Sequence, residues 1–152
     1  MLPSTVERVP RQTDPEINDQ IADETRESVA RCCADPAAIE TRLRELDHEW
    51  DIERTLEANA ATVALAGTVL GATVDRRFFA LPAVVAGFLL QHALQGWCPP
   101  LPVFRRLGFR TQAEIERERY ALKALRGDFD NVTQSMQPHK ERTAAALAAV
   151  DC

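Results

Sequence analysis

The chain has 152 residues and a net charge of −5, from 18 Lys and Arg against 23 Asp and Glu. That length suits one modest domain, and the acidic balance excludes general nucleic-acid binding, which needs a basic face. The mean hydropathy of −0.24 hides a strong unevenness, because between Ala58 and Trp97 the only charged residues are Asp75, Arg76 and Arg77.

Residues 1–34 read as a polar tail with a weak helix. The first thirteen are polar, contain two prolines and hold no apolar run, so any membrane segment is expected to be internal. Asp14 and Pro15 then supply a cap and a first helical position, but Ile17, Ile21 and Val29 give only a thin stripe. Residues 35–57 open the same way with Asp35 and Pro36. Ile39, Leu43, Leu46 and Trp50 follow at spacings of four, three and four, and Ile52 and Leu56 extend the stripe. This predicts one amphipathic charged helix that packs on a partner helix or a membrane surface.

Residues 58–97 are expected to form a two-span membrane hairpin. The run 58–74 is uncharged and, at about 1.5 Å per residue, reaches roughly 25 Å. The run 78–97 is also uncharged and reaches roughly 30 Å, the thickness of a bilayer core. "DRR" joins them. Gly67 and Gly71 form a GxxxG, and Gly87 follows Ala83 at the same spacing; small residues of this kind let helices approach closely in lipid. Trp50 and Trp97 stand near the two ends of the hairpin that share a side, where aromatic rings favour the membrane interface. Residues 98–110 are a proline-rich interfacial segment, with Arg105 and Arg106 placed to meet anionic headgroups. Arg54, Arg105, Arg106 and Arg110 outnumber Arg76 and Arg77, which puts both termini in the cytoplasm by the positive-inside rule.

Residues 111–127 predict a second amphipathic charged helix, opened by a Thr111/Glu114 capping box and stopped by Gly127. Residues 128–152 read as a polar linker and a short helix from Pro138. No strand pattern is present, so the fold expected is all-α: a two-helix transmembrane hairpin flanked by amphipathic charged helices.

Little catalytic chemistry stands out. Cys32, Cys33, Cys98 and Cys152 have neither metal spacing nor a disulfide framework, and read as free thiols. Cys98 is the candidate thiol site, since neighbouring Arg105 and Arg106 would lower a thiol pKa. Glu45 and His48 form one Glu-x-x-His unit where a di-iron bundle needs two, so no metal and no cofactor is expected. No catalytic triad, P-loop or dinucleotide fingerprint appears.

"GWCPPLPVFRRLGFRT" resembles the end of the transmembrane domain of the YgaP-like inner-membrane family, which closes its second span with Gly-x-Cys-Pro, an apolar step, Leu-Gly and a Thr. Gly96, Cys98, Pro99, Leu107, Gly108 and Thr111 match, with a slightly longer step between Cys-Pro and Leu-Gly. Asp51 and Arg54 match the family's lead-in to its first span. The resemblance implies a two-span hairpin in a bacterial inner membrane. The family often carries a rhodanese domain that handles sulfane sulfur, and nothing here has the α/β pattern of one. The function expected is therefore a non-enzymatic anchor, scaffold or accessory subunit. Its partners would be the lipid bilayer and a second copy or larger membrane complex, with no nucleic acid. The alternatives are persulfide handling through Cys98 and a soluble helical assembly protein.

Overall fold

The computed structural model describes residues 4–133 and 139–151. The helix start expected at Pro138, part of the linker before it, and Cys152 lie outside those residues. Every regular element among the described residues is helical. In chain order they are α1 (Pro15–Ala34), α2 (Ala37–His48), α3 (Ile52–Thr73), α4 (Ala80–Gln95), α5 (Leu101–Arg106), α6 (Gln112–Arg126), α7 (Asp130–Thr133) and α8 (His139–Asp151), with single 3-10 turns at Pro10–Gln12 and Arg76–Phe79.

Two compact units divide the chain. One takes Met1–Asp23 and Trp50–Glu114, the other Glu24–Glu49 and Ile115–Cys152. The boundaries fall inside α1 and α6, and between α2 and α3.

The stretch expected as one helix over 35–57 is two. α2 ends at His48, Glu49 turns extended, and Asp51 caps α3 by accepting from the Arg54 N–H at 2.6 Å. A capping carboxylate at this point stabilises a fresh start more than it stabilises a continued helix. Residues 52–57 thereby become the first turns of α3, so this helix runs without interruption from charged into uncharged sequence.

In the first unit α3 and α4 pack side by side, joined by a turn at the expected "DRR". The Val74 and Asp75 N–H groups both return to the Leu70 carbonyl, and the Asp75 carboxylate accepts from the Arg77 N–H at 2.8 Å. A Cβ on Gly67 would lie 2.8 Å from Pro82 and 3.0 Å from Leu81, and one on Gly71 would lie 2.9 Å from the Phe79 ring. Both glycines are therefore what lets the two elements approach. Gly87 has open space around it and takes no part in that packing.

Arg76–Gln95, the turn plus α4, is 20 residues long with mean hydropathy 1.5, and among the described residues it is the only helical stretch long and apolar enough to cross a membrane. α3 falls below that level because Glu53, Arg54, Glu57 and its threonines dilute it. Those threonines are satisfied locally: Thr62, Thr68 and Thr73 each donate to the carbonyl four residues back, at 2.7–2.8 Å. Asn59 does the same with Thr55 at 2.8 Å.

The second unit buries Cys32, Ile39, Leu43, Leu46, Ile115 and Leu122 against one another. The stripes of α2 and α6 thus meet each other. Ion pairs flank the seam. Arg42 grips Glu118 through Nε at 2.8 Å and Nη2 at 3.1 Å, Arg119 pairs with Asp47, and Arg126 reaches Glu40 at 2.7 Å. Lys123, only 2% exposed, donates to the Val150 carbonyl and ties α8 to α6.

Candidate functional site

The polar and apolar chemistry of the first unit concentrates at the base of the α3–α4 hairpin. Gly96 ends α4 in the left-handed region at φ 77°, with its N–H on the His92 carbonyl at 2.8 Å. A Cβ there would collide with the Arg8 carbonyl, so glycine is required on both counts. Pro100 and Pro102 then start α5, so the proline-rich segment 98–110 contains a short helix. Gly108, at φ 87°, ends it.

The N-terminal segment is not a free tail. Val9 is 1% exposed and sits in a cluster with Ile52, Leu56, Cys98 and Leu101. Val6 and Val9 alone in a polar stretch leave no periodicity to read, yet burying Val9 fixes the segment. Arg8 adds a hydrogen bond to the Ala93 carbonyl at 3.1 Å and an ion pair with Glu53 at 3.7 Å. Burial is the largest influence on the Glu53 carboxyl and pushes its pKa above the ordinary value, with Arg8 pulling the other way. The Arg8 Nε and Glu53 Oε2 atoms are buried without partners among the described residues.

Arg105 and Arg106 are adjacent in sequence and opposite in placement. Arg106 is exposed. Arg105 is 1% exposed and points into the protein, a correction to the expectation that it meets headgroups. Its five N–H donors are all used. Nη1 and Nη2 grip Glu114 at 2.7 and 2.8 Å, Nη1 also reaches the Phe109 carbonyl at 3.0 Å, Nη2 the Asn18 amide oxygen at 2.9 Å, and Nε the Thr13 hydroxyl at 3.2 Å. A charge this deep is tolerated only when every donor is satisfied. Glu114 is also the far half of the expected capping box, accepting from the Thr111 N–H at 2.7 Å while Thr111 Oγ1 accepts from the Glu114 N–H at 3.3 Å. Just upstream, the Arg110 carbonyl accepts from the Ile52 N–H at 2.8 Å and ties the start of α3 to the same hub.

Trp50 is 46% exposed, with the Arg54 guanidinium 4.3 Å from its ring centre. Trp97 is half-buried against the Val9 cluster. Cys98 is 5% exposed and belongs to that cluster. Its thiol pKa is raised, chiefly by burial and against a hydrogen bond with the Leu101 backbone, the opposite of the lowering expected from nearby arginines. His92 is 7% exposed, and its ring nitrogens have no hydrogen-bond partner among the described residues. In the second unit Glu45 pairs with Arg42 and His48 with the Arg44 carbonyl, so the Glu-x-x-His unit is engaged locally.

Comparison with family models, with curated proteins and with solved structures gave no match. The functional reading therefore rests on this geometry: an apolar hairpin whose base is locked by a buried ion pair.

Proposed function

We propose that the chain is a small integral membrane protein whose α3–α4 hairpin inserts as two spans, with both termini in the cytoplasm, and that it serves as a non-enzymatic anchor or accessory subunit of a bacterial inner-membrane complex. The observation that carries this reading is exposure. Thirteen large apolar side chains of the hairpin, from Val63 to Leu94, stand 38–70% exposed. Together they present on the order of 1,000 Å², beyond the ~300–600 Å² of the largest patch on a typical soluble monomer. Only 6% of the most apolar stretch of Arg76–Gln95 is buried.

Two further points support insertion. The 20 residues of Arg76–Gln95 reach about 30 Å at ~1.5 Å each, the thickness of a hydrocarbon core, and the uncharged part of α3, residues 58–73, reaches about 24 Å beside it, with Glu53, Arg54 and Glu57 left at the base. The hydroxyls that weaken α3 in hydropathy return to its own carbonyls, so its polar groups enter lipid already bonded. The YgaP-like resemblance of 96–111 fits the same reading. A partner role is supported by the open face at Gly87. A protonated, buried Cys98 gives no support to persulfide handling.

The test is membrane fractionation of a tagged copy with a carbonate wash. Retention in the pellet, lost when Leu89 and Leu90 are both replaced by Arg, is the expected result. Release of the unsubstituted chain by carbonate, or a soluble native chain, would sink the membrane reading in favour of a soluble helical assembly protein.

A further inference from the structure

A half-open groove of about 280 Å³ lies at the base of the hairpin. Ala60 and Val63 of α3 form one wall, Val85 and Phe88 of α4 the other, and Phe104 of α5 the floor. Its polar content is small and already spent. Asn59 donates its amide to the Thr55 carbonyl at 2.8 Å, and Cys98 contributes a thiol that burial keeps protonated. A water needs about two to four polar partners, so such a groove does not hold water well. An apolar cavity of ~150 Å³ already accepts a benzene-sized molecule, and this one is nearly twice that.

We infer that the groove holds one acyl chain of a membrane phospholipid. This rests on the membrane reading above. Val85, Phe88 and Leu89 line the groove and also belong to the almost unburied apolar stretch of Arg76–Gln95. The groove is therefore continuous with the surface that faces lipid, and it opens where acyl chains are the surrounding solvent. α5 closes it from below, at the point where the chain leaves the apolar layer. A straight hairpin surface would leave neighbouring lipids free to exchange. A walled groove instead gives one chain contact on three sides, with dispersion gains that a flat face does not offer. The site selects by shape and dryness, and its ligand class is the hydrocarbon tail, with the headgroup left outside.

The full chain is reconstituted into bilayers of phosphatidylethanolamine and phosphatidylglycerol containing a trace of phosphatidylethanolamine with a mid-chain diazirine. After illumination the adducts are mapped by peptide mass spectrometry. The expected result is adducts on Ala60, Val63, Val85 and Phe88 enriched about fivefold over Leu65 and Leu90, a difference of about 1 kcal/mol in occupancy. Ala60→Phe, which fills the groove, should abolish the enrichment while Leu90 labels as before. Val85→Trp serves the same purpose if Ala60→Phe loses its helical signal. Even labelling along the hairpin would overturn the groove and leave the membrane reading standing. Adducts on Leu65 and Leu90 with none on the groove residues would overturn it in favour of a protein contact that fills the groove. No adduct anywhere on α3 or α4 would remove both readings together.

Discussion

Arg105 of α5 and Glu114 of α6 form a two-pronged ion pair at 2.7 and 2.8 Å, and through it four separated stretches of chain are fastened together. The guanidinium reaches Thr13 and Asn18 on the N-terminal side, and the carboxylate caps α6 through Thr111. Removing one partner of such a pair leaves a buried charge unanswered, at a cost of about 3–5 kcal/mol. Arg105→Ala is therefore expected to lower the thermal unfolding midpoint of the detergent-solubilised protein severely. Arg106→Ala, one residue away and exposed, should leave it within about 0.5 kcal/mol of the unsubstituted chain. Arg105→Lys keeps the charge but replaces five fixed donors with three, and should recover only part of the loss. Equal effects of Arg105→Ala and Arg106→Ala would contradict the arrangement.

That contrast also marks the limit of what the sequence discloses. Local signals were legible: Asp14 caps α1, Thr111 and Glu114 form their box, and the turn falls on Asp75. Each depends on residues within three or four positions. The break at Glu49–Asp51 was not legible, because Trp50, Ile52 and Leu56 continue the spacing of the α2 stripe across it. Arg105 was not legible either, since its partners come from positions 13, 18, 109 and 114 and nothing local separates it from Arg106. Val9 has only the exposed Val6 for apolar company, too little to make a pattern, though its burial anchors a whole segment.

The two glycines of α3 and the one of α4 should behave oppositely. Gly67 faces Pro82 and Leu81, so Gly67→Leu forces the hairpin apart, an overpacking cost of about 1–3 kcal/mol. Gly87 meets nothing within 4 Å, so Gly87→Ala should be neutral or stabilising by up to ~1 kcal/mol through helix propensity. Unfolding in mild detergent measures both. A destabilising Gly87→Ala in the purified monomer would show that α4 packs on something other than α3.

Thiol reactivity should follow burial. Cys33 is exposed, while Cys32 and Cys98 lie in apolar clusters. In a Cys152→Ser background, maleimide is expected to modify Cys33 within the time that leaves Cys98 unmodified, with Cys98 labelling only after denaturation. Peptide mass spectrometry reads this directly. Rapid labelling of Cys98 in the folded protein would mean that its surroundings open, and would restore the case for thiol chemistry there.

The N-terminal segment should act as a structural strap. Val9→Asp puts a charge among Ile52, Leu56, Cys98 and Leu101, where no partner awaits it. Proteolysis of the solubilised protein is expected to cleave between residues 4 and 13 only in this variant, with the hairpin itself still protected. Equal resistance of the unsubstituted and Val9→Asp chains would remove the strap.

The two half-buried carboxylates near the hub should give opposite pH signatures. For Glu114, burial raises the pKa, but the hydrogen bonds from Arg105 and from the Thr111 backbone outweigh it, and the net direction is down. Its contribution is therefore complete above the ordinary value of 4.5 and is lost as pH falls through the lower folded value. For Glu53, burial wins over Arg8 and the direction is up. Here the favourable condition lies below the ordinary value of 4.5, and stability is lost as pH rises through the raised folded value. Glu53→Gln keeps a hydrogen-bonding side chain without the charge. It should unfold at a higher midpoint than the unsubstituted protein at pH 7 and at the same midpoint near pH 4. Glu114→Gln should do the reverse, being weaker at pH 7 and converging only in acid. Midpoints of thermal unfolding at the two pH values, measured on all three chains, decide the matter. If both variants shift in the same direction at pH 7, one carboxylate has its burial and its partner misassigned.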